Sequence, residues 1–128
     1  MTRRQERLNS RILDMFNTAL LSEVDDPRLQ LVELTRVQIN RDASHAIVYF
    51  ISQDDEYDEK EVERAFNHAK GFFRGVLAEQ LNLRYTPDLT FRYDEAAIET
   101  QRVLDLFEQI EEERRRNPPK LDDDAANS

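Results

Sequence analysis

The chain has 128 residues, a formal net charge of −9 and no cysteine. That is enough for one domain with a modest core, and it excludes disulfides, thiolate catalysis and cysteine-ligated metal. No stretch approaches the roughly 18 apolar residues of a membrane span, and "MTRRQERLNSRILDMF" lacks the apolar core of a secretory signal, so no membrane association and a cytoplasmic setting are expected.

Leu8, Ile12, Phe16, Leu20 and Val24 recur every fourth residue, with Leu13 and Ala19 widening the stripe. The spacing predicts a core-facing helix over 3–24. "VDDPRL" ends it, because Pro27 disfavours helical geometry at Asp26. Residues 31–40 and 45–52 are β-branched and aromatic-rich and read as an antiparallel hairpin through the loop 41–44. In the second strand Ala46, Val48 and Phe50 share one face and Ile47, Tyr49 and Ile51 the other. Both faces are apolar, which makes this strand either central or covered twice.

Asp58 and Glu61 have the spacing of a capping box. Beyond them Val62, Ala65, Phe66, Ala69, Phe73, Val76, Leu77 and Leu81 keep helical period to about residue 82. In 86–94, Leu89, Phe91 and Tyr93 alternate with Thr90 and Arg92, a third strand restricted at its start by Pro87. Residues 95–113 return to helical spacing through Ile98, Val103, Phe107 and Ile110, with an acidic outer face. Residues 114–128 have nothing to bury and read as a disordered tail. The order predicts an α+β fold of two layers, with helices packed on one face of a three-stranded sheet.

Catalysis is not expected. His45 and His68 are the only histidines, they fall in different elements, and His68 reads as a surface residue. No serine sits in a nucleophile elbow and no Gly-rich phosphate loop follows a strand. The acidic runs "DDEYDE" and "LDDD" lack calcium-loop spacing. No metal and no cofactor is expected.

Charge is unevenly spread. Two acidic segments, 42–63 and 94–113, set the negative sum, whereas 64–93 is basic, so a local basic face is open to an anionic partner. The chain's only two glycines, Gly71 and Gly75, both fall inside the second helix, where each costs about 1 kcal/mol against alanine. Two explanations stand. Gly71 either lets a neighbour pack close, or turns a corner at Ala69-Lys70-Gly71 that frees backbone amides as an anion site flanked by Lys70 and Arg74. Arg3, Arg4, Arg7 and Arg11 crowd the start of the first helix, where the macrodipole opposes them by about 0.3–1 kcal/mol each. Cations collected there point to an anionic partner such as RNA.

Four separated stretches stand in order along the chain: "DPRL" (26–29), "VQINRDASHAIVYFIS" (37–52), "AFNHAKGFFRGVL" (65–77) and "LRYTPDLTFRYD" (83–94). Together they resemble the bacterial ribosome-binding factor A family, and the likeness runs from about Arg4 to Ile110. It implies a type II KH-like domain (α-β-β-α-kink-α-β) over 1–113, in which an Ala-x-Gly kink replaces the GXXG loop and 95–113 is a C-terminal acidic helix. It further implies a monomer that binds the free small (30S) subunit and 16S ribosomal RNA. Such a factor assists late maturation, including processing of the RNA 5′ end, breaks no bond, and is linked to growth in the cold. The RNA-binding residues would be Arg3, Arg4, Arg7, Arg11, Arg41, Ala69, Lys70, Gly71, Arg74, Arg84 and Arg92, as phosphate contacts rather than base readers. Arg28 can instead pair internally with Asp25 or Asp26. Arg114–Arg116 read as either a phosphate-contacting arm or a solubilising tail. The alternative function is a protein-interaction module that docks a basic ribosomal protein through its acidic C-terminal helix.

Overall fold

The computed structural model describes residues 2–53 and 55–118. In chain order it contains α1 (Arg3–Ser22), a 3-10 turn (Pro27–Leu29), β1 (Val32–Ile39), β2 (His45–Ser52), α2 (Glu59–Gln80), β3 (Asp88–Tyr93) and α3 (Glu95–Arg116). Both α1 and α2 start on capping boxes. Thr2 accepts from the Gln5 amide while the Gln5 side chain accepts from the Thr2 amide, and Asp58 and Glu61 repeat the exchange. Each box satisfies two of the orphan donors that a helix start leaves.

β2 is central, antiparallel to β1 and parallel to β3, the first of the two placements its sequence allows. A parallel pair cannot be joined by a tight turn, and α2 is the crossover that joins β2 to β3. One face of the sheet is buried, through Leu34, Val37 and Ile39 of β1, Ala46, Val48 and Phe50 of β2, and Leu89 and Phe91 of β3. α1 packs over β1 and α2 over β3, so the α+β two-layer arrangement holds for these helices. On the other face Ile47, Tyr49 and Ile51 are half-buried.

Five phenylalanines knit the layers together. Phe66 of α2 stacks on Phe91 of β3 at 4.5 Å and 8°, and Phe16 of α1 meets Phe73 of α2 edge-on at 4.9 Å. Phe50 of β2 touches Phe66 at 5.1 Å. Offset and edge-on pairs of this kind add about 0.5–1.5 kcal/mol each beyond their buried area.

Several expected boundaries move. α3 runs on through Arg114, Arg115 and Arg116, which the sequence pattern assigns to the tail. Cations favour a helix C-terminus, and Arg116 pairs with Glu112 one turn earlier. Of the expected tail, residues 119–128 lie outside the described residues. The chain divides into two compact units at Asp94 and Glu95, and α3 has no buried residue. The domain expected over 1–113 takes in the whole of the first unit and most of α3 in the second.

The larger correction concerns the glycines. α2 is helical without interruption from Glu59 to Gln80, and neither glycine has a positive φ. Amides near Gly71 therefore stay inside the helical ladder and are not released to hold an anion. Close packing does not need the glycines either, since a Cβ at Gly71 or Gly75 would meet nothing within 4 Å. Freed amides and close packing both give way to a third explanation. Exposed Gly71 and Gly75, at i and i+4 between exposed Asn67 and Ala78, leave a strip of nearly bare backbone along the outer side of α2.

Candidate nucleic-acid interface

α1 is tied to the free edge of β1 by three amide side chains. Asn17 Nδ2 donates to Leu34 O and Asn17 Oδ1 accepts from Leu34 N, both at 3.2 Å. Asn9 Oδ1 accepts from Ile39 N at 2.9 Å, and Gln5 Nε2 donates to Ile39 O at 3.4 Å. These bonds seal an edge that would otherwise present unpaired donors and acceptors. They also hold the start of α1 against the β1–β2 turn.

That turn is itself braced. Ala43 N donates to Asn40 O at 3.1 Å, His45 N to Asn40 Oδ1 at 3.0 Å and Ser44 N to Asp42 Oδ1 at 3.1 Å. Ala43 sits at φ 58, a left-handed conformation that alanine adopts at a cost. Hydrogen bonds from the Ser44 hydroxyl and amide hold the Asp42 carboxyl below the usual carboxylate range.

The outcome is a cleft of about 250 Å³ where α1, the turn and the segment after α2 meet, lined by Arg4, Gln5, Leu8, Arg41, Asp42 and Leu83 among others. Arg4 and Arg41, far apart in sequence, thus share one concavity, and Arg84 directly follows its Leu83 wall. Arg3, Arg7 and Arg11 are exposed on α1 outside the cleft lining. Among the described residues, none of Arg3, Arg4, Arg7, Arg11, Arg41, Lys70, Arg84 and Arg92 forms an ion pair with a carboxylate. Cations without internal partners keep their charge available to an external anion.

The other expected contacts separate from this cluster. Ala69 is half-buried against the core, Lys70 half-buried and Gly71 exposed. Arg74 is engaged inside the fold. Its Nε donates to Pro87 O at 3.2 Å and Nη2 to Thr86 O at 3.3 Å, which fixes the approach to β3. Arg84 lies with its guanidinium carbon 5.4 Å from the ring centre of exposed Tyr85. Arg92 alternates with the buried Leu89 and Phe91, so it belongs to the sheet face away from α1 and α2, in register with Tyr49. The structure does not bring it together with the others.

Sequence reasoning also missed a network on that far face. The Arg36 guanidinium lies 3.8 Å from the Tyr49 ring centre, and its Nε donates to the buried Asp94 carboxylate at 3.3 Å. Asp94 also accepts from Thr35 Oγ1 at 2.6 Å. These contacts sit where the β1–β2 register shifts between Leu34 and Arg36. Arg28, by contrast, behaves as its sequence context suggests. It grips Asp26 through Nε at 3.1 Å and Nη2 at 2.9 Å.

Among the described residues no cluster of His, Asp or Glu is arranged to hold a metal ion, and no helix is long and apolar enough to cross a membrane. The family model of ribosome-binding factor A matches residues 4–107. The chain is 36% identical to ribosome-binding factor A of Syntrophomonas wolfei over 87% of its own length and 93% of that protein. It is 38% identical to the Coxiella burnetii protein of that name over 84% of its length and 90% of the other. In fold it is similar to the crystal structure of ribosome-binding factor A from Thermus thermophilus, with a TM-score of 0.61 and 24% identity over 68% of this chain and 92% of that one. The α+β architecture is therefore KH-like, and the chain belongs to the ribosome-binding factor A family.

Proposed function

We propose that this chain binds the free small (30S) ribosomal subunit as a monomer in the cytoplasm and holds 16S ribosomal RNA during late maturation, including processing of the RNA 5′ end. It acts by differential binding, favouring one RNA conformation over others, with no bond made or broken. The observation that carries this reading is the pairing of Arg4 with Arg41 around one cleft, while both lack a carboxylate partner among the described residues. Family membership supplies the subunit. The cleft supplies a place for phosphates, flanked by Arg3, Arg7, Arg11 and Arg84.

The bare strip on α2 adds a surface where a sugar–phosphate backbone can approach without meeting side chains, with Lys70 beside it. Arg74, spent on two carbonyls, contributes mainly by position. Contacts of this kind fix register without reading sequence. The net charge of −9 confines RNA to this basic patch, because acidic surfaces elsewhere repel phosphate.

Co-sedimentation with purified small subunits across a salt series tests the proposal. Arg4→Glu with Arg41→Glu is expected to weaken binding and to reduce the slope of log K against log salt by about two, one per lost phosphate contact. Arg92→Glu, on the far face, is expected to change it little. Unchanged binding of the double variant at every salt concentration overturns the assignment. Cells lacking the gene are expected to accumulate precursor 16S RNA, most of all in the cold.

A further inference from the structure

α3 carries a feature that RNA binding does not use. Val103, Leu106, Phe107 and Ile110 fall at i, i+3, i+4 and i+7, which places them on one side of the helix. They are 43%, 56%, 62% and 38% exposed. A single exposed leucine is unremarkable, but a contiguous apolar stripe marks an interaction surface. The stripe spans about 10 Å of helix, with Leu104 at its edge, itself 53% exposed.

The charges beside the stripe select its occupant. Glu99 is paired with Arg102 at 3.0 Å and Glu112 with Arg116, while Asp105 takes a hydrogen bond from Gln101 at 2.9 Å. Among the described residues Glu108, Glu111 and Glu113 pair with no cation. RNA gains nothing from an apolar stripe with acidic margins and is repelled by the glutamates. A second copy of the chain would offer only Arg114 and Arg115 to these three glutamates, and would bring the same three glutamates with them. A protein surface that is apolar at its centre and lysine- or arginine-rich at its rim satisfies both the stripe and the margins.

We infer that α3 is a second docking element, which seats its Val103–Ile110 stripe on a basic protein of the small subunit. The inference rests on the subunit reading only for where the partner is found. It adds a protein contact to the RNA contact made by the unit before it.

The test places a photo-crosslinking amino acid at the edge of the stripe, Leu104→p-benzoylphenylalanine, in the full-length chain. Illumination is carried out with intact small subunits and, separately, with RNA-free proteins extracted from them. The expected result is a covalent adduct with the same basic subunit protein in both arms. Glu111→Lys with Glu113→Lys, which leaves the stripe intact, is expected to lower adduct yield at least about fivefold at low salt. Circular dichroism checks that α3 remains helical. Adducts with RNA alone, with a second copy of the chain, or with nothing in either arm overturn the inference. If the chain fails to co-sediment with subunits, the small-subunit reading falls by itself, and the RNA-free arm still decides this one.

Discussion

Asn17 meets both backbone groups of Leu34, donating to its carbonyl and accepting from its amide at 3.2 Å each. One helix side chain thus imitates the strand that β1 lacks on its outer edge. Asn17→Ala leaves both groups without that partner, and the expected cost is about 1–3 kcal/mol. In a urea titration the midpoint should fall while the slope stays constant. Asn17→Asp, which sets a carboxylate oxygen against the Leu34 carbonyl in place of the donor, is expected to cost at least as much.

The two glycines invert the usual expectation that a substitution destabilises. Because nothing lies within 4 Å of an added Cβ and neither glycine has a positive φ, Gly71→Ala and Gly75→Ala should each raise stability by about 0.5–1 kcal/mol. The same substitutions are expected to weaken subunit binding, since the methyl groups stand on the strip offered to the RNA backbone. A thermal melt and a co-sedimentation assay on the double variant read the two effects separately. Higher stability with unchanged binding would remove α2 from the interface.

Phe91 stacks on Phe66 at 4.5 Å and also meets Phe73 at 5.5 Å, and it is 2% exposed. Phe91→Ala removes the strand's main attachment to α2, with an expected cost of about 3–5 kcal/mol. Phe91→Leu should cost far less. Equilibrium denaturation of the pair checks the difference.

Asp26 gives a pH-dependent contribution of known sign. The hydrogen bond from the Arg28 side chain, followed by the Arg28 amide, holds its carboxyl below the usual carboxylate range against an opposing effect of burial. A depressed folded pKa means that this stabilisation is fully present above the unfolded-state value, about pH 4. It is lost as pH falls through the folded value. Arg28→Ala should return Asp26 toward the ordinary range in a carboxyl-carbon NMR titration. The stability gap between variant and parent should close at acid pH.

Much of the fold is legible because burial leaves a period. Ile12, Phe16 and Leu20 betray α1, the double apolar alternation of Ala46–Ile51 betrays a central strand, and Asp58 with Glu61 marks the start of α2. The faces of β3 are legible as well, since Arg92 alternates with Leu89 and Phe91 and so belongs away from the helices. Asn9 leaves a weaker trace as a polar residue inside an apolar stripe. What local pattern does not carry is partnership across the fold. The carbonyls taken by Arg74, the carboxylate shared by Thr35 and Arg36, and the meeting of Arg4 with Arg41 exist only once the sheet is assembled. Glycine's helix-breaking tendency is a poor guide at 71 and 75, because the surrounding helix formers and the buried face of α2 outweigh it.

The parallel pairing of β2 with β3 carries a consequence for biosynthesis. Phe66 has no Phe91 to stack on, and β2 keeps one unpaired edge, until the last strand has left the exit tunnel. A nascent chain stalled before residue 88 would expose aromatic surface and an open strand together, an aggregation-prone species. Completion of β3 is the step that closes the molecule, so folding of this unit is expected to be late and abrupt during translation rather than gradual.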